Sequence, residues 1–310
     1  GYPMAQAGRA SEALAISAAG SFIGATVATT GLTLFAPLLA QAAIYFGPSD
    51  YFALYIMAFA TIGGLMGVDL RKALLSAILG LMIATIGLDP STGVARFTFG
   101  SYELFDGFDL IVAMVGLFAV SEVLVLLESK MTENKAGLRV NRLLPDWSAM
   151  RGTIGASIRG SGVGFVAGIL PGAGASLGAV MSYSVEKQVS DRNGTFGKGD
   201  PRGVAAPESG NNAASGGALI PMLALGVPGS GTTAVMLAML VSLNVQPGPL
   251  LFERSPDLVW GLVAALYLAN VALLILNVPM IGIFTTILRT PNWALMPVVV
   301  AISFVGIYSL

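Results

Sequence analysis

The sequence predicts an all-α integral membrane protein, a polytopic helical bundle with internal repeats and broken or re-entrant helices. Three observations lead there. Hydrophobic residues make up 55% of the 310 residues and charged ones only 11%, against about 25% charged in an ordinary globular domain. Charge is absent from residues 13–49, 51–68, 73–88, 160–185, 209–252, 258–288 and 290–310, and a bilayer core about 30 Å thick is crossed by roughly 20 apolar residues of helix. No apolar run alternates as a transmembrane strand would; residues 262–276, for one, alternate nowhere. Because only helices and closed barrels satisfy every backbone polar group in lipid, the spans are helices.

About eight or nine membrane-inserted segments are expected at that helix length. The first, 13–46, is too long for one perpendicular helix and must tilt, bend or break, with Gly20, Gly24 and Gly31 as places to do so. Segments 51–68 and 73–88 follow, joined by a short turn carrying Asp69, Arg71 and Lys72. The polar stretch 89–109, with Thr98, Tyr102 and Phe105, reads as a loop near the membrane surface. Residues 110–127 read as a helix carrying one acid, Glu122, whose position near a helix end fits snorkelling to the interface as well as function.

Residues 129–159 form the most basic connection, with Lys130, Lys135, Arg139, Arg142, Arg151 and Arg159, and the positive-inside rule places it in the cytoplasm. Residues 1–128 then form the rear part of a first transmembrane repeat, and 160–310 a second repeat with two Pro-Gly broken segments. A faint echo supports the repeat: Ser49-Asp50-Tyr51-Phe52-Ala53-Leu54 and Thr290-Pro291-Asn292-Trp293-Ala294-Leu295 each open an apolar segment. The second polar stretch, 186–208, is basic too. If it is also cytoplasmic, the apolar segment before it enters and returns, reversing at Leu170-Pro171-Gly172-Ala173-Gly174. The chain has no initiator Met and its last residues are apolar, so it is expected to be a piece of a longer protein, cut at both ends.

Composition also excludes chemistry. Without cysteine or histidine there are no disulfides, thiolates, histidine zinc sites or histidine proton relays. With a net charge of −1 and scattered basic residues, nothing suggests nucleic acid. No cofactor is expected, and no metal site; protons or cations fall to carboxylates, hydroxyls, amides and backbone carbonyls.

The richest region is 164–233, where Pro171-Gly172 and Pro228-Gly229 interrupt apolar runs. Proline removes a donor and glycine permits left-handed backbone, so both runs unwind locally. Unwound backbone at membrane depth is tolerated where it is buried in protein or lines a cavity. There, helix N-termini offer free N–H groups and positive dipole ends to an anion, while freed carbonyls hold a cation. A packed proline kink is the alternative for either motif alone. Two in tandem, each trailed by hydroxyls at Ser176 and at Ser230, Thr232 and Thr233, favour a site. Between them, Glu208 and the pair Asn211 and Asn212 open an apolar segment, as ligands for a carboxylate or cation or as helix caps. The spacings Gly20 to Gly24, Gly63 to Gly67 and Gly164 to Gly168 match close packing of membrane helices.

Three enzyme-like strings fail on context. Gly174-Ala175-Ser176-Leu177-Gly178 fits the nucleophile elbow, but a chain without histidine lacks the usual base. Gly197-Lys198-Gly199-Asp200 resembles an aspartyl-protease motif but sits in a polar loop, and Gly172-Ala173-Gly174 has the wrong spacing for a dinucleotide turn. The chain is not expected to be an enzyme.

Together with Gly168-Ile169-Leu170-Pro171-Gly172-Ala173-Gly174-Ala175, the strings Phe196-Gly197-Lys198-Gly199, Gly203-Val204-Ala205-Ala206-Pro207-Glu208, Asn211-Asn212-Ala213, Leu225-Gly226-Val227-Pro228-Gly229 and Pro247-Gly248-Pro249 stand in an order that resembles the large permease subunit of the tripartite tricarboxylate transporters, the TctA family. Upstream, Gly1-Tyr2-Pro3-Met4-Ala5 and Ile86-Gly87-Leu88-Asp89-Pro90 look similar too, so the resemblance covers nearly the whole chain. It implies a multi-pass secondary transporter of the bacterial inner membrane, a symporter importing citrate or other tricarboxylates and organic carboxylates. The implied partners are a periplasmic solute-binding protein, a small membrane subunit of the same transporter and the lipid bilayer, and the implied coupling ion is sodium or a proton. The family's first Pro-Gly half is expected before Gly1.

The expected substrate site comprises Pro171, Gly172, Ala173, Gly174, Ala175, Ser176, Asn211, Asn212, Pro228, Gly229, Ser230, Gly231, Thr232 and Thr233. Glu208, Asn212 and Thr232 are the candidates for cation coupling. The alternative is a membrane channel or scaffold subunit without coupled transport.

Overall fold

In a computed structural model of the chain, the structure describes residues 1–7, 9–65, 70–89, 92–108, 112–113, 116–121, 124, 147–171, 174–287, 297–298, 301–302 and 305. They fall into two compact units, Gly1–Gly67 with Gly137–Ile283, and Val68–Ala136 with Phe284–Leu310. Glu122, Gly172, Ala173 and most of the basic connection lie outside the described residues.

The described residues are almost wholly helical. In the first unit α1 (Tyr2–Gln6) leads into α2 (Ala10–Ala43), and α3 (Pro48–Leu65) opens on a proline at its first turn, where the missing N–H has no partner to lose. At 34 residues α2 is about 51 Å long at 1.5 Å per residue. It runs unbroken through Gly20, Gly24 and Gly31 and past Pro37, so of the three options tilting, bending and breaking, breaking does not occur. Its threonines are satisfied locally: Thr26, Thr29, Thr30 and Thr33 each donate their hydroxyl to the carbonyl four residues back, which lets them sit in an apolar helix.

The second unit contains α4 (Leu70–Ala84) and a two-stranded antiparallel hairpin, β1 (Gly87–Leu88) with β2 (Ala95–Arg96). This strand pair is a small departure from the all-helical expectation. It forms because Asp89 caps the turn, its carboxylate accepting from the Thr92 N–H and pairing with Arg96, while Gly87 takes a positive φ of 125°.

Helix α5 (Trp147–Ile169) and α6 (Gly174–Ser190) form a helical hairpin in the first unit, reversing around Leu170 and Pro171. Next come α7 (Arg202–Gly217), α8 (Leu219–Leu225), α9 (Gly231–Ser242), the short α10 (Leu251–Arg254) and α11 (Pro256–Ile287). Helix α7 is central, packing on α2, α5 and α6. Its buried seam is made of Ala205, Ala206, Ser209, Gly210, Ala213, Ala214 and Gly217, spaced by three and four residues. Glycines meet it from all sides: a Cβ on Gly24 would strike the Ser209 backbone, on Gly164 the Gly210 backbone, and on Gly168 the Ala214 backbone. Backbone thus lies on backbone, the arrangement expected of the Gly20/Gly24 and Gly164/Gly168 spacings; the Gly63/Gly67 spacing reaches beyond the described residues. Around α8 the core becomes larger, with Leu219, Ile220, Met222 and Leu223 against Leu32, Phe165 and Val259.

Among the described residues two helices are long and apolar enough to cross a membrane, at Glu12–Ala43 and Pro256–Asn277; Leu74–Ala84 and Gly231–Ser242 are apolar but shorter. The apolar stretches 160–185 and 209–252 divide into shorter helices, because Pro171 and the 226–230 break interrupt them.

Candidate functional site

One cavity of about 950 Å³ lies within the first unit; five segments supply most of its lining, and Leu219 of α8 completes it. Helix α2 contributes Ser21, Phe22, Ala25 and Thr29, a stripe at helical spacing. Helix α7 turns the face opposite its packed seam toward the cavity, with Glu208, Asn211, Asn212, Ser215 and Gly216. The start of α6 brings Gly174, Ala175 and Ser176; the start of α9 brings Pro228, Ser230, Gly231, Thr232 and Thr233; and α11 brings Leu266, Asn270, Leu273 and Asn277.

The two helix starts arise from the Pro-Gly breaks. Helix α8 ends because Gly226 adopts left-handed backbone, φ 70°, and its N–H closes the last turn on Met222 O. Four residues later Ser230 caps α9 in a reciprocal box. Its Oγ accepts from the Thr233 N–H at 3.2 Å, and its own N–H donates to Thr233 Oγ1 at 2.9 Å. The hydroxyls of Ser230 and Thr233 are therefore engaged in holding the helix start, whereas Thr232 is exposed. Helix α6 begins at Gly174, whose φ of 66° only glycine adopts freely. First-turn N–H groups that have no partner inside a helix thus sit at the cavity wall in two places.

Polar side chains divide the rest of the wall. Asn212 Nδ2 donates to Ser21 Oγ at 3.0 Å and to Glu208 O at 3.1 Å, and Ser21 Oγ donates to Glu208 Oε1 at 2.8 Å. Asn211 is half-buried and its amide makes no hydrogen bond among the described residues. From α11, Asn270 Nδ2 donates to Phe22 O at 3.1 Å and to Thr26 Oγ1 at 2.9 Å, and Tyr267 and Thr30 share a hydrogen bond of 3.0 Å. These two links hold α11 to α2.

Of the residues expected in the site, Gly174, Ala175, Ser176, Asn211, Asn212, Pro228, Ser230, Gly231, Thr232 and Thr233 come together on this wall, and so does the coupling candidate Glu208. Pro171 and Gly229 are buried behind it; a Cβ on Gly229 would meet Ala218 at 2.9 Å. Gly172 and Ala173 lie outside the described residues. Glu208, Asn211 and Asn212 do not open their helix: α7 starts at Arg202 and continues through Pro207, so helix capping does not explain them. Sequence reasoning missed Ser21 and Asn270. Ser21 is one of several hydroxyls in α2, whereas Asn270 stands among apolar residues of α11 and was the available signal.

Below α7 a structured loop links it to α6. Asp200 accepts from Arg202 Nε at 3.1 Å and NH2 at 2.6 Å and from Thr195 Oγ1 at 2.6 Å. The Arg202 guanidinium lies 5.5 Å above the Phe196 ring. The guanidinium's hydrogen bonds hold the Asp200 carboxyl down at about 2, against the opposing effect of burial.

Two known proteins are similar. An uncharacterized 52.8 kDa protein in the TAR-I ttuC' 3'region of Agrobacterium vitis is 38% identical over 310 residues, covering 100% of this chain and 62% of that protein. An uncharacterized protein in the TAR-II ttuC' 3'region of the same organism is 40% identical over 147 residues, covering 47% of this chain and 61% of its own length. The chain thus spans less than two thirds of the length of these relatives. No solved structure matches it. Residues 1–310 match the model of the Tripartite tricarboxylate transporter TctA family, and the chain belongs to that family.

Proposed function

We propose that the cavity is the carboxylate site of the permease subunit of a binding-protein-dependent secondary transporter, one that imports citrate, other tricarboxylates or related organic carboxylates. The observation that carries this reading is the convergence of two helix starts, at Gly174 and at Ser230-Gly231, on the wall that also holds the unpartnered Asn211 amide. Carboxylate oxygens need donors, and a wall with no basic side chain among the described residues offers them from backbone N–H groups, amides and hydroxyls. The polypeptide spans the bacterial inner membrane several times, with a periplasmic solute-binding protein delivering substrate and a small membrane subunit completing the complex. A sodium or proton gradient drives uptake, and no other cofactor takes part. The high hydropathy of 256–277 and the long apolar α2 support a membrane setting, and the family's membership of a tripartite transporter supports the partners.

The test is uptake of labelled citrate and several dicarboxylates into proteoliposomes holding the full-length permease and small subunit, with and without the binding protein, under imposed sodium or proton gradients. Gradient-driven accumulation that requires the binding protein is the expected result. An intact complex that equilibrates a carboxylate without accumulating it, or moves none, would make the subunit a channel or scaffold.

A further inference from the structure

We propose that Glu208, keyed to Ser21 and Asn212, takes up a proton when an anionic ligand enters the cavity and releases it when the ligand leaves; this rests on reading the cavity as a carboxylate site. Among the described residues lining it, Glu208 is the one charged side chain. A carboxylate ligand therefore enters a space that already contains a like charge and has no basic side chain to offset it, and an apolar surround strengthens that repulsion. Protonating Glu208 removes it.

The geometry around Glu208 is suited to both states. Asn212 donates to Ser21, and Ser21 donates to Oε1, so the donors form a chain that ends on one carboxylate oxygen. Oε2 accepts no hydrogen bond among the described residues, which leaves it to receive the proton. In the charged state Ser21 stabilises Oε1. In the neutral state Oε2 carries the proton, Oε1 keeps the serine, and no bond in the chain has to break. The proton comes from water in the cavity and returns to water when the ligand departs.

The other charges on neighbouring elements leave Glu208 as the titrating group of this wall. Glu12 on α2 is paired with Arg9, and Arg159 on α5 with Glu186 on α6. Arg202 on α7 is paired with Asp200. Arg151 on α5, Lys187 on α6, Asp257 on α11 and the phenols of Tyr183 and Tyr267 complete the titratable set on α2, α5, α6, α7, α8 and α11, and none of them lines the cavity.

The experiment is equilibrium binding of labelled citrate to the full-length permease with its small subunit in nanodiscs between pH 6 and pH 8, for wild type, Glu208→Gln and Ser21→Ala. The ligand's own carboxyls titrate identically in all three, so differences belong to the protein. Glu208→Gln resembles the protonated state and is expected to bind citrate with a pH slope lower than wild type by one proton, about tenfold in affinity per pH unit. Ser21→Ala is expected to keep the wild-type slope, because Glu208 remains. An unchanged slope in Glu208→Gln overturns the proposal. Should that variant not fold, calorimetry of citrate binding to wild type at pH 8 in two buffers of different ionisation enthalpy decides, and no proton taken up overturns it. Binding that follows sodium at fixed pH and is lost in Glu208→Gln also overturns it, in favour of a metal cation. Wild type that binds no carboxylate at any pH refutes the cavity reading itself and is distinct from all of these.

Discussion

Arg159 grips Glu186 with two parallel hydrogen bonds, Nε to Oε2 at 2.8 Å and NH2 to Oε1 at 2.7 Å, across the arms of the α5–α6 hairpin. The carboxylate is 1% exposed and the arginine 45%, so the acid depends on its partner more than the base does. Arg159→Ala leaves a charge buried without its counterion and is expected to destabilise the first unit by about 2–4 kcal/mol. Replacing both residues together with Met and Leu recovers much of that. Thermal unfolding of the detergent-solubilised full-length protein measures both.

Gly164→Ala is expected to lower stability by about 1–3 kcal/mol or more, because its Cβ would meet the Gly210 backbone, which has no flexible end to yield. Gly80→Ala in α4 is the control. Nothing lies within 4 Å of its Cβ position, and alanine favours a helix over glycine by about 1 kcal/mol. Unfolding midpoints should move in opposite directions for the two variants.

The two asparagines separate function from support. Asn211→Ala removes an amide without a partner and is expected to weaken citrate binding about tenfold while leaving the unfolding temperature unchanged. Asn212→Ala also severs the link to Ser21, so affinity and stability both fall. Unchanged affinity and cation dependence in Asn212→Ala would remove that residue from the site.

Ser230→Ala removes one half of the capping box and is expected to cost about 1 kcal/mol of local stability. The readout is hydrogen exchange, which should quicken in the first turn of α9, at Gly231, Thr232 and Thr233, and not in α6.

The 191–202 loop responds to acid. Asp200 sits at about 2, below its usual 3.8, so the stabilisation it contributes is fully present above about pH 4 and is lost as the pH falls through 2. Hydrogen exchange at Phe196 and Arg202 should rise across that window, and Asp200→Asn should raise it already at pH 7.

Much of this was legible in the chain because the decisive signals are local. Charge-free length marks α2 and α11, and proline followed by glycine marks the starts of α6 and α9. The Glu208, Asn211 and Asn212 cluster is conspicuous in an apolar background. Ser21 and Asn270 were not legible, since their roles come from partners 187 and 248 residues away, a separation at which spacing carries no information. Glu208, Asn211 and Asn212 were expected to open an apolar segment, whereas α7 already starts at Arg202 and continues through Pro207. The β1–β2 pair depends on the Asp89 turn, a feature of a few residues inside a stretch that reads as loop.

Helix α7 carries the polar loop at one end and lines the cavity with its other face, and on the α2 and α5 sides glycines lay backbone directly on its backbone. Such a contact has no cushion. On those two sides rotamer changes have little to offer a displaced α7, so Asn211 and Arg202, about 14 Å apart at 1.5 Å per residue, are expected to shift together.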